Sequence, residues 1–179
     1  MAVETGLQTI NLKQWIQEHR QLLKPPVGNA QIWKDREFIV MVVGGPNKRT
    51  DYHIDPAEEL FYQLEGDITL KVIESGRRRD IEIREGEMLL LPANVPHSPR
   101  RPANTVGLVV ERARKPGELE NFQWYCEGCG GLLYDHAARI TDITTQLKPI
   151  FDKFYGDPKL RTCKKCARVT APPPETVSS

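Results

Sequence analysis

Between Glu37 and Arg112 the chain alternates short apolar runs with turn residues, and this limits the fold more than any other feature of its 179 residues. The runs are EFIVMVVGG (37–45), EELFYQL (58–64), ITLKVIE (68–74), RRRDIEI (77–83), MLLLPA (88–93) and TVGLVVER (105–112). Glu65-Gly66-Asp67, Ser75-Gly76 and Glu85-Gly86-Glu87 punctuate them. Short strands broken by frequent turn signals predict an antiparallel sandwich or barrel.

Helical spacing occurs outside this region. Leu12, Trp15, Ile16, His19, Leu22 and Leu23 form one stripe, with Asn11 as N-cap and KPPVGN (24–29) as terminator. His19 on that stripe is expected to be a packed or boundary residue. DITTQLKPIFDKFYG (142–156) has the same period, with Pro149 expected to split or kink it. Near Lys115 and Pro116-Gly117 the character changes. This gives residues 1–115 as a barrel with an N-terminal helix, 116–170 as a helical extension, and 171–179 (APPPETVSS) as a disordered tail. No internal repeat is visible. With 39% hydrophobic and 27% charged residues, global disorder is excluded. No apolar run reaches the length of a membrane span, and MAVETGLQTINLKQW has no basic start before an apolar core. The expected location is the cytoplasm. A net charge of +1 leaves no broad footprint for nucleic acid.

All four cysteines lie in the extension, as Cys126-x2-Cys129 and Cys163-x2-Cys166. Two such pairs form two knuckles around one tetrahedral metal, zinc or a single iron. Glycine and small residues in CEGCGG and CKKCA permit turns whose backbone N–H groups point at sulfur. Disulfides are the alternative, disfavoured in a reducing compartment. Arg161, Lys164, Lys165 and Arg168 are basic, but Glu118, Glu120 and Glu127 are acidic. This balance favours a structural staple over a nucleic-acid reader.

Two segments of the strand-rich part resemble the paired motifs of the cupin superfamily. The first is His53-Ile54-Asp55-Pro56-Ala57-Glu58-Glu59 followed by Gly66; the second runs from Gly86 through Pro92 to His97. Asp55 stands where the superfamily has a second histidine, and Arg101 where it has asparagine. The usual ligand set is thereby cut to His53, Glu59 and His97. Singly, each reads as a surface or turn residue; together, at this spacing, they read as a metal site. Two imidazoles and a carboxylate on one face leave about three octahedral positions open, as in non-haem Fe(II) oxygenases.

Other polar residues point the same way. Glu111 follows a strongly apolar run, where alternation puts it on the face of Val109; a carboxylate there needs a partner or a ligand, unless it merely ends the strand at a solvated rim. Arg49 and Arg101 flank the motifs, and beside a metal pocket they make a fork for a carboxylate and a partner for a polarised oxygen.

Taken together, LLKPPVGN, VVGGPNKRTDYH, EELFYQLEGD, LLPANVPHSPRRP, VVERARKPGELENFQWYC and the paired CxxC resemble the bacterial type of the 3-hydroxyanthranilate 3,4-dioxygenase family, from about Leu22 to Cys166. The resemblance implies an all-β dominated cupin, a double-stranded β-helix or jelly-roll barrel, with an N-terminal helix and a C-terminal rubredoxin-like metal knuckle segment. It implies an oxidoreductase of tryptophan (kynurenine) breakdown and NAD biosynthesis. Such an enzyme opens 3-hydroxyanthranilate with O2 to 2-amino-3-carboxymuconate semialdehyde, the precursor of quinolinate. Fe(II) is implied at His53, Glu59 and His97, and a second iron or zinc at Cys126, Cys129, Cys163 and Cys166. Arg101 would bind the substrate carboxylate, and Glu111 would contact the substrate as catalytic base, with Glu59 also beside it. Arg49 would lie by dioxygen, Asp51 would support a neighbour, and Asn29 would sit in a loop near the substrate. A homodimer without nucleic-acid or membrane partners is implied. The rival readings are a cupin metalloenzyme acting on another small carboxylated aromatic, and a non-enzymatic ligand-sensing cupin with a knuckle interaction module.

Overall fold

Period-two alternation sets the faces of the sheets. In β4 (Glu59–Glu65) and β5 (Ile68–Glu74) buried residues alternate with partly exposed ones. The computed structural model describes residues 9–25, 28–47, 49–140 and 143–173. Of the expected tail, 174–179 lie outside these residues.

Eleven strands are present among the described residues. Besides β4 and β5 they are β1 (Asn29–Gln31), β2 (Phe38–Gly44), β3 (Tyr52–Ile54), β6 (Arg77–Ile83), β7 (Met88–Leu91), β8 (His97–Arg100), β9 (Val106–Arg112), β10 (Glu120–Tyr125) and β11 (Leu132–Ala138). They form a five-stranded sheet, β1-β2-β9-β4-β7, and a six-stranded sheet, β11-β10-β3-β8-β5-β6. The pairings are antiparallel. Phe61, Leu91 and Val109 of the first sheet pack against Ile68, Leu70, Val72 and Ile83 of the second. This is the expected antiparallel all-β sandwich.

The N-terminal helix is shorter than its stripe predicts. Asn11 caps α1 (Leu12–Glu18), its side chain accepting from the Gln14 N–H. His19 then leaves helical geometry, stacks on Trp15 at 4.3 Å, and Arg20–Leu23 continue as a 3-10 turn. Ile16 and Leu23 cover Val42 and Val106 on the outer face of the five-stranded sheet.

The segment beyond residue 115 holds strands as well as helices, because β10 pairs with β3 and β11 with β10. The helix α2 (Ile143–Gly156) runs through Pro149 as one element. A proline inside a helix costs about 3 kcal/mol. Here Ile150 and Phe154 pack with Phe122 and Trp124 of β10, and that buried face offsets the loss. A short α3 (Pro158–Arg161), capped by Asp157, leads to the second cysteine pair. No helix among the described residues is long and apolar enough to cross a membrane.

Candidate active site

Three short connections deliver the predicted ligands to one point. His53 lies on β3 directly opposite His97, the first residue of β8, and Glu59 opens β4. Glu59 Oε1 is 3.1 Å from His97 Nε2 and 3.5 Å from His53 Nδ1. Glu59 and His97 are buried, and one donor atom from each of the three lies within 4.8 Å of the others.

The remaining ring nitrogens are anchored. His97 Nδ1 lies 3.0 Å from the Val95 carbonyl, and His53 Nε2 lies 2.6 Å from Glu120 Oε2. An imidazole that donates from one nitrogen to such an acceptor turns the other nitrogen's lone pair inward. Two lone pairs then face a carboxylate oxygen, Glu59 Oε1, that has no hydrogen-bond donor of its own. A divalent cation is what satisfies this donor set, and imidazole with carboxylate suits iron. Without a cation a proton takes its place. Burial opposes the imidazolium, but the hydrogen bond to Glu120 and the nearby Glu59 carboxylate outweigh it and push His53 up to about 10. Burial likewise opposes the Glu59 carboxylate, and the histidines overcome it and hold its carboxyl well below the usual range.

Carboxylates crowd this point. Glu59 is paired with Glu111 across the β4–β9 ladder, and donor oxygens of Asp55, Glu59 and Glu111 lie within 4.8 Å of one another. Burial, then the charge of Glu59, pushes Glu111 up to about 8. Burial also raises Asp55, against the pull of Arg114. Arg114 reaches Asp55 Oδ2 at 2.6 Å, Glu120 Oε1 at 2.7 Å and Glu111 Oε1 at 3.2 Å.

Further along the same inner face stands a cation without a counter-charge. Arg101 is 3% exposed, and its Nη1 donates to Gln63 Oε1 at 3.2 Å. Its Nε has no partner, and no described carboxylate pairs with it. Burial lowers its pKa to about 10. Gly107, opposite Gln63, makes room: a Cβ there would sit 2.8 Å from Arg101 Nη1.

Arg49 forms a forked pair with the buried Asp51, at 3.0 and 2.5 Å, and lies over the Phe151 ring of α2 at 5.1 Å. Burial opposes the Asp51 charge and, more weakly, that of the half-exposed Arg49; their mutual attraction outweighs it, raising Arg49 and lowering Asp51. Asn29 pairs with Val43 on edge strand β1, which β2 and β9 separate from β4. No hydrogen bond among the described residues links it to the histidine–glutamate cluster.

The four cysteines converge as their spacing predicts. Cys126 Sγ lies 3.6 Å from Cys166 Sγ, and Cys129 Sγ 3.4 Å from Cys163 Sγ. A tetrahedron with ~2.3 Å metal–sulfur bonds has edges near this length. Backbone N–H groups of Cys129 and Gly128 point at Cys126 and hold its thiol down to about 6; those of Cys166 and Lys165 lower Cys163. These residues fit a tetrahedral thiolate-bound metal.

Two residues escaped sequence reasoning. Glu120 reads there as part of an acidic fringe of the knuckles, whereas it is buried against His53. Period-two alternation over Glu120, Phe122 and Trp124 is the signal that could have found it. Arg114, in the loop after β9, carries no local signal at all.

The chain matches the family model described as 3-hydroxyanthranilic acid dioxygenase over residues 4–155. It is 54% identical over 164 residues to the 3-hydroxyanthranilate 3,4-dioxygenase of Xanthomonas euvesicatoria pv. vesicatoria, covering 92% of this chain and 93% of that one. It is 49% identical to the enzyme of the same name from Ruegeria pomeroyi, covering 91% of each. Among solved structures, a cupin-2 domain protein from Shewanella frigidimarina overlays on 59% of this chain and 95% of its own, with 17% identity and a TM-score of 0.46.

Proposed function

The chain belongs to the 3-hydroxyanthranilic acid dioxygenase family, and from that premise we propose that it opens the ring of 3-hydroxyanthranilate with O2, giving 2-amino-3-carboxymuconate semialdehyde. The ring bond beside the hydroxylated carbon breaks, and both oxygen atoms enter the product, whose amine then condenses with the aldehyde, losing one water, to give quinolinate. The reaction serves tryptophan breakdown and NAD synthesis, in the cytoplasm.

The observation that carries this reading is Arg101, a buried guanidinium with no carboxylate partner among the described residues, on the same inner face as a His/Glu/His donor set. A buried cation is stable only when paired. A substrate carboxylate is the missing partner. Glu59 and Gln63 are four residues apart on β4, about 13 Å along the strand. A one-ring aromatic acid lying along this face would have the donor set toward one end and Arg101 toward the other.

His53, Glu59 and His97 would hold Fe(II), which when bound supplies the open positions for substrate and dioxygen and the electron path between them. Arg101 fixes the ring through its carboxylate. Glu111 takes the phenolic proton onto a carboxylate oxygen. Arg49, held by Asp51 and Phe151, lends positive charge where oxygen becomes anionic. Cys126, Cys129, Cys163 and Cys166 would hold a second iron or zinc as a staple between β10 and α3.

A homodimer is part of the proposal. Leu60 lies between Leu90 and Val110 on the outer face of the five-stranded sheet, and Phe38, Met88 and Leu90 are each more than half exposed. Such a patch marks an interface. Light scattering should give twice the chain mass, and Leu90→Lys should give the monomer.

Anaerobic loading with Fe(II), followed by 3-hydroxyanthranilate and air, tests the activity. One O2 should be consumed per substrate, with a transient ultraviolet absorbance from the semialdehyde. No oxygen uptake would overturn the reading.

A further inference from the structure

Asp55, Glu59, Glu111 and Glu120 arrive from separate strands or strand ends, and each is 4% exposed or less. Four buried carboxylates this close repel one another unless cations are placed among them. A divalent metal supplies one answer and Arg114 the other. Its side chain is 9% exposed, and its guanidinium meets three of the four.

The position of Asp55 makes this arrangement selective. Its donor oxygen lies within 4.8 Å of those of Glu59 and Glu111, close enough to join a metal bound by Glu59. One of its oxygens is engaged by a hydrogen bond, and the other by an ion pair without hydrogen-bond geometry. Oδ1 accepts from the Ala57 N–H at 2.7 Å, and Oδ2 faces Arg114 at 2.6 Å. Another nitrogen of the same guanidinium holds Glu120 Oε1, whose second oxygen meets His53 Nε2. A planar fork with several donors holds carboxylates on two sides; a lysine ammonium on a flexible stem does not.

We infer that Arg114 is a positioning residue that decides the ligand set: it keeps Asp55 off the metal and holds Glu120 on His53. The site then offers three protein ligands rather than four, and three open positions rather than two. The inference rests on the reading of His53, Glu59 and His97 as metal ligands.

Mn(II) is the probe, because it prefers imidazole and carboxylate over four thiolates. Its effect on water-proton relaxation counts the exchanging waters on the bound ion, without any turnover. In Arg114→Met, Asp55 becomes a fourth ligand, and relaxivity per bound Mn(II) falls by roughly a third, two open positions in place of three. Arg114→Met/Asp55→Asn restores the wild-type value. Arg114→Lys falls as Arg114→Met does, and it substitutes for that variant if the methionine chain does not fold. Glu120→Gln keeps the water count but binds Mn(II) roughly 10–100-fold more weakly.

Unchanged relaxivity in both Arg114 variants, with Mn(II) bound one to one, would overturn the inference. So would a higher relaxivity in Asp55→Asn alone, since Asp55 would then already be a ligand. Failure of the wild-type chain to bind Mn(II) would overturn the metal site itself, and this inference with it. Failure of ring opening with normal Mn(II) binding would bear on the proposed function alone.

Discussion

Glu59 and Glu111 stand directly opposite each other in the β4–β9 ladder, both buried. Like charges at paired positions destabilise a sheet. The pair persists because the two differ in charge: the histidines hold Glu59 as the anion, whereas burial and the Glu59 charge push Glu111 up to about 8 despite Arg114. In the proposed reaction that division would give the two residues separate work, one as ligand and one as base.

Glu111→Gln tests the division. The amide keeps the shape of a carboxyl that burial and Glu59 push up to about 8, removes whatever charge it carries, and cannot take a proton. Turnover should fall by roughly 10²–10⁴-fold, the span of general acid–base catalysis, with the Michaelis constant little changed. The metal-free chain should be as stable as wild type or more so, by up to about 1 kcal/mol. Steady-state kinetics and urea unfolding read the two effects. Near-normal turnover would exclude Glu111 as the base.

Arg101 and Gly107 act as one feature. Arg101→Met should weaken substrate binding by ~2–5 kcal/mol, the range for losing one member of a buried charged pair. Gly107→Ala reaches the same end indirectly. Its added Cβ would sit 2.8 Å from both Arg101 Nη1 and Gln63 Oε1, so both side-chain ends must shift. The Michaelis constant should rise by at least tenfold, about 1.4 kcal/mol. Iron content should stay at the wild-type level in both variants, as metal analysis would show.

How much of this was legible in the chain depends on how local each signal is. The cysteine pairs were legible because the N–H groups that serve Cys126 and Cys163 come from the same knuckles. The longer strands showed through alternation. The short β3 and β8 carry too few residues for a period, and they were found through the motifs that contain His53 and His97. Glu120 lies opposite no residue of its own neighbourhood; its partner His53 is distant in sequence, and only the β3–β10 register joins them. Arg114 sits in ERARKPG, which reads as an ordinary basic loop; Glu111 opens that same segment, but Asp55 and Glu120 join it only once the strands pair. Pro149 shows the converse: a strong local signal is overridden by the apolar face packed against Phe122 and Trp124.

The two metal positions should separate by mutation. His53→Ala removes a donor from one and touches no cysteine; Cys163→Ser opens the tetrahedron and touches no histidine. Metal analysis should find one metal per chain in each variant, bound through sulfur in the first and through nitrogen and oxygen in the second. Cys163→Ser should still open the ring, as a staple distant in the chain from the ligands. Abolished turnover in a folded, iron-loaded Cys163→Ser chain would show that the cysteine-bound metal takes part in the reaction.

Trp124 ties the sheet to the C-terminal segment. It is 1% exposed, stacks on Phe154 at 4.5 Å, and lies two residues from both Phe122 and Cys126. Phe122 in turn stacks on His53 at 5.3 Å. The buried face of β10 is thus shared between the active-site wall and the packing of α2. Trp124→Ala leaves a cavity there and should cost about 3–5 kcal/mol. Because Glu120 is on the same face, a loosened β10 also frees the carboxylate that holds His53 Nε2, and affinity at the first metal position should fall. Trp124→Phe keeps the stack on Phe154 and should retain most of both. Urea midpoints and Mn(II) titration measure the two quantities. A Trp124→Ala chain that loses stability while binding Mn(II) as wild type does would show that β10 keeps Glu120 in place without help from α2.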